Sequence, residues 1–100
     1  MFTEAVRKGA ALLDQRFPRW RDKVDSSTLD MQNNCVLKQV FGNYREGMYL
    51  IGLAHKWADG CMQFEGYTVS EYGFTIMTDG DINKKIWTQL TDEWRKVLLA

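Results

Sequence analysis

The segment "INKKIWTQLTDEWRKVLL", residues 82–99, constrains the fold more than any other part of the chain. Ile86, Leu90, Trp94 and Val97 recur at helical spacing, and Trp87 and Leu98 broaden the stripe. Asp81, after the Asp79–Gly80 turn, is placed to cap a helix running from Ile82 to about Leu99. Asp92 and Lys96 make an i, i+4 pair of favourable polarity. A second stripe lies at the other end of the chain. Val6, Ala10, Leu13 and Phe17 give a helix over Thr3 to Arg16, which Thr3 can cap and Pro18 ends. The same proline can open a short helix in "PRWRDKVD", where Trp20 and Val24 are one turn apart.

Between these segments the signals are shorter. "DSSTLDMQNN" reads as a loop with Leu29 and Met31 tucked in. Asn33 or Asn34 can cap a helix through "CVLKQVF", and Gly42 is placed to end it. "NYREGMYLIGLAHKW" has helical spacing at Tyr44, Met48 and Ile51, giving a second short helix. Gly47 and Gly52 weaken it by about 1 kcal/mol each. Their small size suits close packing on a neighbour. Residues 61–77 support two readings. Met62 with Phe64, and Tyr72, Phe74 and Ile76, alternate as in a short β-hairpin that turns at Gly66. "TVSEYG", ended by Gly73, also reads as a short helix. The expected architecture is a mainly α single domain over residues 1–100, with about four helices and a possible hairpin near 61–77.

Composition narrows the class. With 45% hydrophobic and 26% charged residues the chain is globular rather than disordered. Four Trp, four Tyr and five Phe are a large aromatic supply for 100 residues, and any left exposed would suit a partner surface. Net charge is zero, so nothing draws the whole molecule to nucleic acid or an anionic membrane. Charge is nevertheless segregated. Residues 1–24 hold six basic against three acidic side chains, whereas residues 59–82 hold five acidic and no basic ones. No apolar run reaches 18 residues, which argues against a membrane span. "MFTEAVRKGAALLDQRF" has charges throughout, unlike a signal peptide. A cytoplasmic location, where thiols stay reduced, is expected.

Cys35 and Cys61 are 26 residues apart, and neither forms a CxxC or CxxH pair. With one histidine, His55, they fall short of a paired four-ligand zinc set, so no metal and no cofactor is expected. A Cys–His nucleophilic pair is the weaker alternative to Cys35 as a small core hydrophobe beside Val36, Leu37, Val40 and Phe41.

Four blocks, "GAALLDQRFPRW", "DSSTLDMQNNCVLKQVFGNY", "YGF" and "LTDEWRKVL", cover most of the chain. Together they resemble a group of small accessory proteins of actinobacterial phages and their hosts. "LDM…CVLxQxFGxY" is the most distinctive part. Lys38 departs from it, since a glycine is more usual there, which implies looser packing on the outer side of that helix. The group has no known activity, so the resemblance implies context alone: a phage or mobile-element protein acting in a bacterial cytoplasm.

The residues support four functional readings to different degrees. A non-enzymatic protein that binds a host macromolecule needs no catalytic constellation and uses aromatic and charged surface. Two patches suit it: Arg16, Arg19, Trp20 and Arg21, and the acidic-aromatic group of Trp57, Glu65, Tyr67, Glu71 and Tyr72. Trp20 and Tyr72 also sit in apolar periodicity, so each patch is expected to be at least half core. Nucleic-acid binding through residues 16–23 would use "RFPRWRDK", whose cations and aromatics suit phosphate contact and stacking, but zero net charge disfavours it. A small-molecule or nucleotide-binding pocket lined by aromatics is a further alternative. An enzyme is disfavoured: "DGD" at 79–81 reads as a turn and cap, and Asp92 and Glu93 point about 100° apart on a helix.

Overall fold

The computed structural model describes the backbone at residues 2–56, 62–64, 66–76 and 83–99, and side chains at residues 2–54, 69–76 and 83–99. These residues are mainly helical, as expected. In chain order they form α1 (Thr3–Arg16), a 3-10 turn (Trp20–Lys23), α2 (Val36–Phe41) and α3 (Tyr44–Leu50), then strands β1 (Ala54–Lys56) and β2 (Met62–Phe64), then α4 (Gly66–Glu71) and α5 (Lys84–Leu99). Helix α1 packs on α5 and α4, while α2 packs on α3 and on the 3-10 turn.

The two terminal stripes meet in the core. Val6, Ala10 and Leu13 of α1 and Leu90 and Trp94 of α5 are buried, with Phe17, Ile86 and Val97 half-buried at the margin. Trp94 is the largest contributor on α5. Its ring stacks on Phe74 at 5.3 Å and meets Trp20 edge-on at 5.9 Å, both within the range of favourable aromatic pairs. Its indole nitrogen donates to the Gly73 carbonyl at 2.7 Å, so its polar atom is satisfied within the core. Gly9 makes the approach possible. A Cβ there would collide with the Tyr72 carbonyl oxygen and stand 3.0 Å from the Trp94 ring.

Two helices end in the same way. Gly52 and Gly73 have φ of 84° and 74°, the left-handed region that glycine enters without strain. After α3, the Leu53 amide donates to the Met48 carbonyl and the Gly52 amide to Tyr49. After α4, Phe74 donates to Val69 and Gly73 to Ser70. Both are Schellman closures, and the second seals with buried Val69 and Phe74 side by side. Gly42, also left-handed, ends α2 as the sequence suggests.

Several local expectations are corrected. The hairpin pairs Ala54 with Phe64 and Lys56 with Met62, so it begins before residue 61 and only its second strand lies in the expected window. Gly66 starts α4 rather than turning a hairpin. Tyr72, Phe74 and Ile76 form no strand, because left-handed Gly73 breaks the alternation and the helical reading of "TVSEYG" prevails. "PRWRDKVD" contributes only a 3-10 turn. Thr3 does not cap α1; its hydroxyl donates to Glu93 across the α1–α5 contact at 3.2 Å. Asp92 pairs with Arg95 and Lys96 with Glu93, each at i, i+3, in place of Asp92 with Lys96. At the start of α5 the Asn83 side chain accepts from the Ile86 amide at 3.2 Å, and the expected cap Asp81 lies outside the described residues. Gly47 behaves as expected: a Cβ would stand 2.7 Å from the Phe41 ring and 3.0 Å from Leu37.

Gly9→Ala tests the tightness of the α1–α5 seam. Helix propensity favours Ala by about 1 kcal/mol, but overpacking against a backbone carbonyl and an indole costs more. A net loss of about 2 kcal/mol in urea unfolding is expected. An unchanged or higher midpoint would contradict this packing.

Candidate functional site

The structure divides the expected cationic patch. Trp20 is fully buried, and its indole nitrogen donates to Asp14 at 2.8 Å. Arg21 pairs with the same carboxylate at 3.2 Å, and its guanidinium carbon lies 4.9 Å from the centre of the Trp20 ring. Trp20 therefore serves the core and is not presented to a partner, a correction to the sequence reading. The reason is local. The 3-10 turn after Pro18 points the indole inward against Trp94.

Arg16 and Arg19 remain exposed, and Lys23 joins them. All three border a groove of about 300 Å3 whose apolar surface comes from Phe17, Pro18, Val40 and Phe41, with Trp20 beneath. Phe17 and Phe41 meet edge to face at 4.7 Å and 80°, so α1 and α2 share one aromatic floor. No acidic side chain among the described residues pairs with Arg16, Arg19 or Lys23. An apolar floor under unneutralised cations suits an acidic ligand that carries an apolar anchor. Sequence reading missed Val40 and Phe41, because their position depends on how α2 docks on the 3-10 turn. The one available signal was an aromatic at the end of α2's apolar run.

The acidic-aromatic patch is not assembled as expected. Glu71 is exposed, but Tyr72 is half-buried against the core, with its carbonyl facing Gly9. Trp57 and Glu65 lie outside the described residues, as does the side chain of Tyr67.

Cys35 has a role that its neighbours did not reveal. It is the N-cap of α2, and its sulfur accepts the Lys38 amide at 3.4 Å. Asn33 and Asn34, the expected caps, are engaged elsewhere. The Asn33 side chain donates to Asp30 and that of Asn34 to the Thr28 carbonyl. The thiol is free and buried, and desolvation pushes its pKa above the ordinary 9.0, which disfavours the nucleophilic thiolate. The same burial lifts the nearby Tyr44 phenol to about 12. The side chain of His55, and Cys61 entirely, lie outside the described residues. Among the described residues no three His, Cys, Asp or Glu side chains cluster as metal ligands would. Asp92 and Glu93 are drawn to different cations, Arg95 and Lys96, so they do not converge. No helix among the described residues is long and apolar enough to cross a membrane.

Comparison with protein-family models, with curated proteins and with solved structures gives no match.

Burial of Cys35 and Tyr44 sets a pH dependence. Both folded-state pKa values are raised, so the folded chain holds these protons more tightly than the unfolded chain. Their stabilisation is complete below about pH 9 and is lost as pH rises toward 12. Urea midpoints should fall across that window, and less steeply in the Cys35→Ala/Tyr44→Phe variant. An equal slope in both proteins would count against the buried, protonated pair.

Proposed function

We propose that this chain is a non-enzymatic accessory protein of phage or mobile-element type, which binds a host protein in the bacterial cytoplasm. The observation that carries the binding reading is the groove between α1 and α2. There Arg16, Arg19 and Lys23 stand unpaired among the described residues, around the floor of Phe17 and Phe41. The partner's chemistry follows: a segment with Asp or Glu flanking at least one aromatic or aliphatic anchor. Such a ligand would gain on-rate from the cations and residence time from the buried anchor. The phage context rests on the resemblance of "LDM…CVLxQxFGxY" and the neighbouring blocks. Nucleic-acid binding through residues 16–23 loses support, because burial of Trp20 removes one of its two aromatics and leaves only the half-buried Phe17 to stack on a base.

Affinity capture from nuclease-treated host lysate, read by mass spectrometry, should recover one protein near stoichiometry. Arg16→Glu/Arg19→Glu/Lys23→Glu should reduce recovery at least about tenfold without unfolding, and raised salt should weaken the wild-type complex. Recovery equal in the variant would remove this groove from the interface. Recovery abolished by nuclease would give the cations to nucleic acid instead.

A further inference from the structure

Trp87, half-buried on α5, lines two cavities, and Gln32 and Asn33 line both as well. One, of about 280 Å3, is chiefly apolar: Met31, Cys35, Tyr44 and Phe74 lie around the Trp87 indole, with Thr75 at the margin. The other, of about 470 Å3, is polar and includes Asp30, Lys84, Thr88 and Arg95. Pockets of this size that combine an apolar lobe with a few convergent polar groups suit small ligands.

The frame is held before any ligand arrives. Thr91 accepts the Met31 amide at 3.0 Å, and Arg95 donates to the carbonyls of Ser26 and Leu29, each at 2.9 Å. Asp30 accepts the Gln32 amide at 3.0 Å, which fixes the turn that carries both side-chain amides.

Charge selects the ligand class. The Lys38 ammonium is engaged with the Asn33 carbonyl at 3.2 Å. The Arg95 guanidinium is engaged by two carbonyls and by Asp92. In the polar lobe Lys84 and Asp30 both line the wall, one charge of each sign, and Arg95 pairs with Asp92. The polar lobe therefore has no net charge to hold a phosphate, and in the other lobe the Lys38 ammonium is held at the wall by the Asn33 carbonyl. The groups left to offer are an indole face, the Gln32 carboxamide, and the carboxamide oxygen of Asn33, whose NH2 donates to Asp30. The hydroxyl oxygens of Thr75 and Thr88 complete the set, the latter donating its proton to the Lys84 carbonyl. Carboxamides pair with the donor and acceptor edges of nucleobases, and indoles stack on their faces.

We propose that this two-lobed cleft binds a neutral, planar heteroaromatic ligand of nucleoside size, its ring on Trp87 in the apolar lobe and its hydroxylated end in the polar lobe. The site is separate from the groove at Phe17, and the inference stands whether or not a host protein docks there.

Titration of the full chain with adenosine and with guanosine, followed by 1H–15N NMR, tests it. At least one nucleoside should give saturable shifts at the Trp87 indole N–H and the Gln32 and Asn33 side-chain amides. The buried Trp20 and Trp94 indoles should stay still. Trp87→Leu should weaken binding at least about tenfold with the helical circular dichroism retained. Gln32→Ala changes an exposed side chain and should weaken binding about threefold, so it carries the test if Trp87→Leu fails to fold. The proposal is overturned if neither nucleoside shifts Trp87, or if the folded variants bind as wild type does. Adenosine monophosphate binding more than about threefold tighter than adenosine would overturn the neutral-ligand assignment.

Discussion

The contact on which the other contacts depend is the placement of the Trp94 indole. It joins three segments that are distant in sequence: the turn after α4 through the Gly73 carbonyl, the 3-10 turn through Trp20, and α1 through Gly9. A buried aromatic of this size contributes both apolar area and specific geometry, and Trp94 combines a stacked ring, an edge-to-face ring and a satisfied N–H. Loss of such a residue from a close-packed core typically costs about 3–5 kcal/mol, a large fraction of the stability of a small domain. The backbone around it is adapted to the ring. Gly73 turns left-handed to present its carbonyl, and Gly9 leaves room for the ring edge.

The same helix organises the irregular part of the chain. Thr91 and Arg95 are one turn apart on α5 and hold the loop before α2 by its backbone. Gln39 of α2 closes the other side, accepting the Asp25 amide at 2.6 Å and donating to the Asn34 carbonyl at 3.3 Å. Residues of the distinctive "LDM…CVLxQxFGxY" and "LTDEWRKVL" blocks thus meet in one polar framework. The loop is ordered by side chains that satisfy its backbone groups, not by a strand or helix of its own. That framework sets the geometry of the Trp87 cleft, and α2, which it anchors, supplies half of the groove at Phe41.

Long periodic segments were readable from residue order. Both terminal stripes, the stop at Phe17 before Pro18, and Gly42 as a helix end follow from rules that act within one or two turns. The errors have a common cause. Trp20 reads as both patch and core, because three arginines surround it in sequence while its spacing is apolar; its ring is wholly buried, against Trp94, which is 74 residues away. Asn33 and Asn34 have the best capping chemistry near α2, but a turn built on Asp30 and Thr28 engages them, and the thiol of Cys35 takes the position. The cationic groove was half readable. Arg16 and Arg19 stand out in the sequence, whereas Val40 and Phe41 enter only through tertiary packing. The pairing of Thr91 and Arg95 with loop carbonyls and amides has no local signature at all.

Order of synthesis gives the placement of α5 a further meaning. This helix is made after the other described elements, and it supplies both the ring at the centre of the core and the clamps on the loop. Until it has emerged and docked, the apolar stripe of α1 has lost its largest cover and the Asp25–Asn34 segment lacks two of its anchors. The growing chain can form isolated helical turns, but these are marginal in water without packing. Neither the groove at Phe41 nor the cleft at Trp87 has its final shape in that interval. Completion of the described core therefore waits on α5, and a chain released before residue 84 would leave that core open to chaperones and proteases.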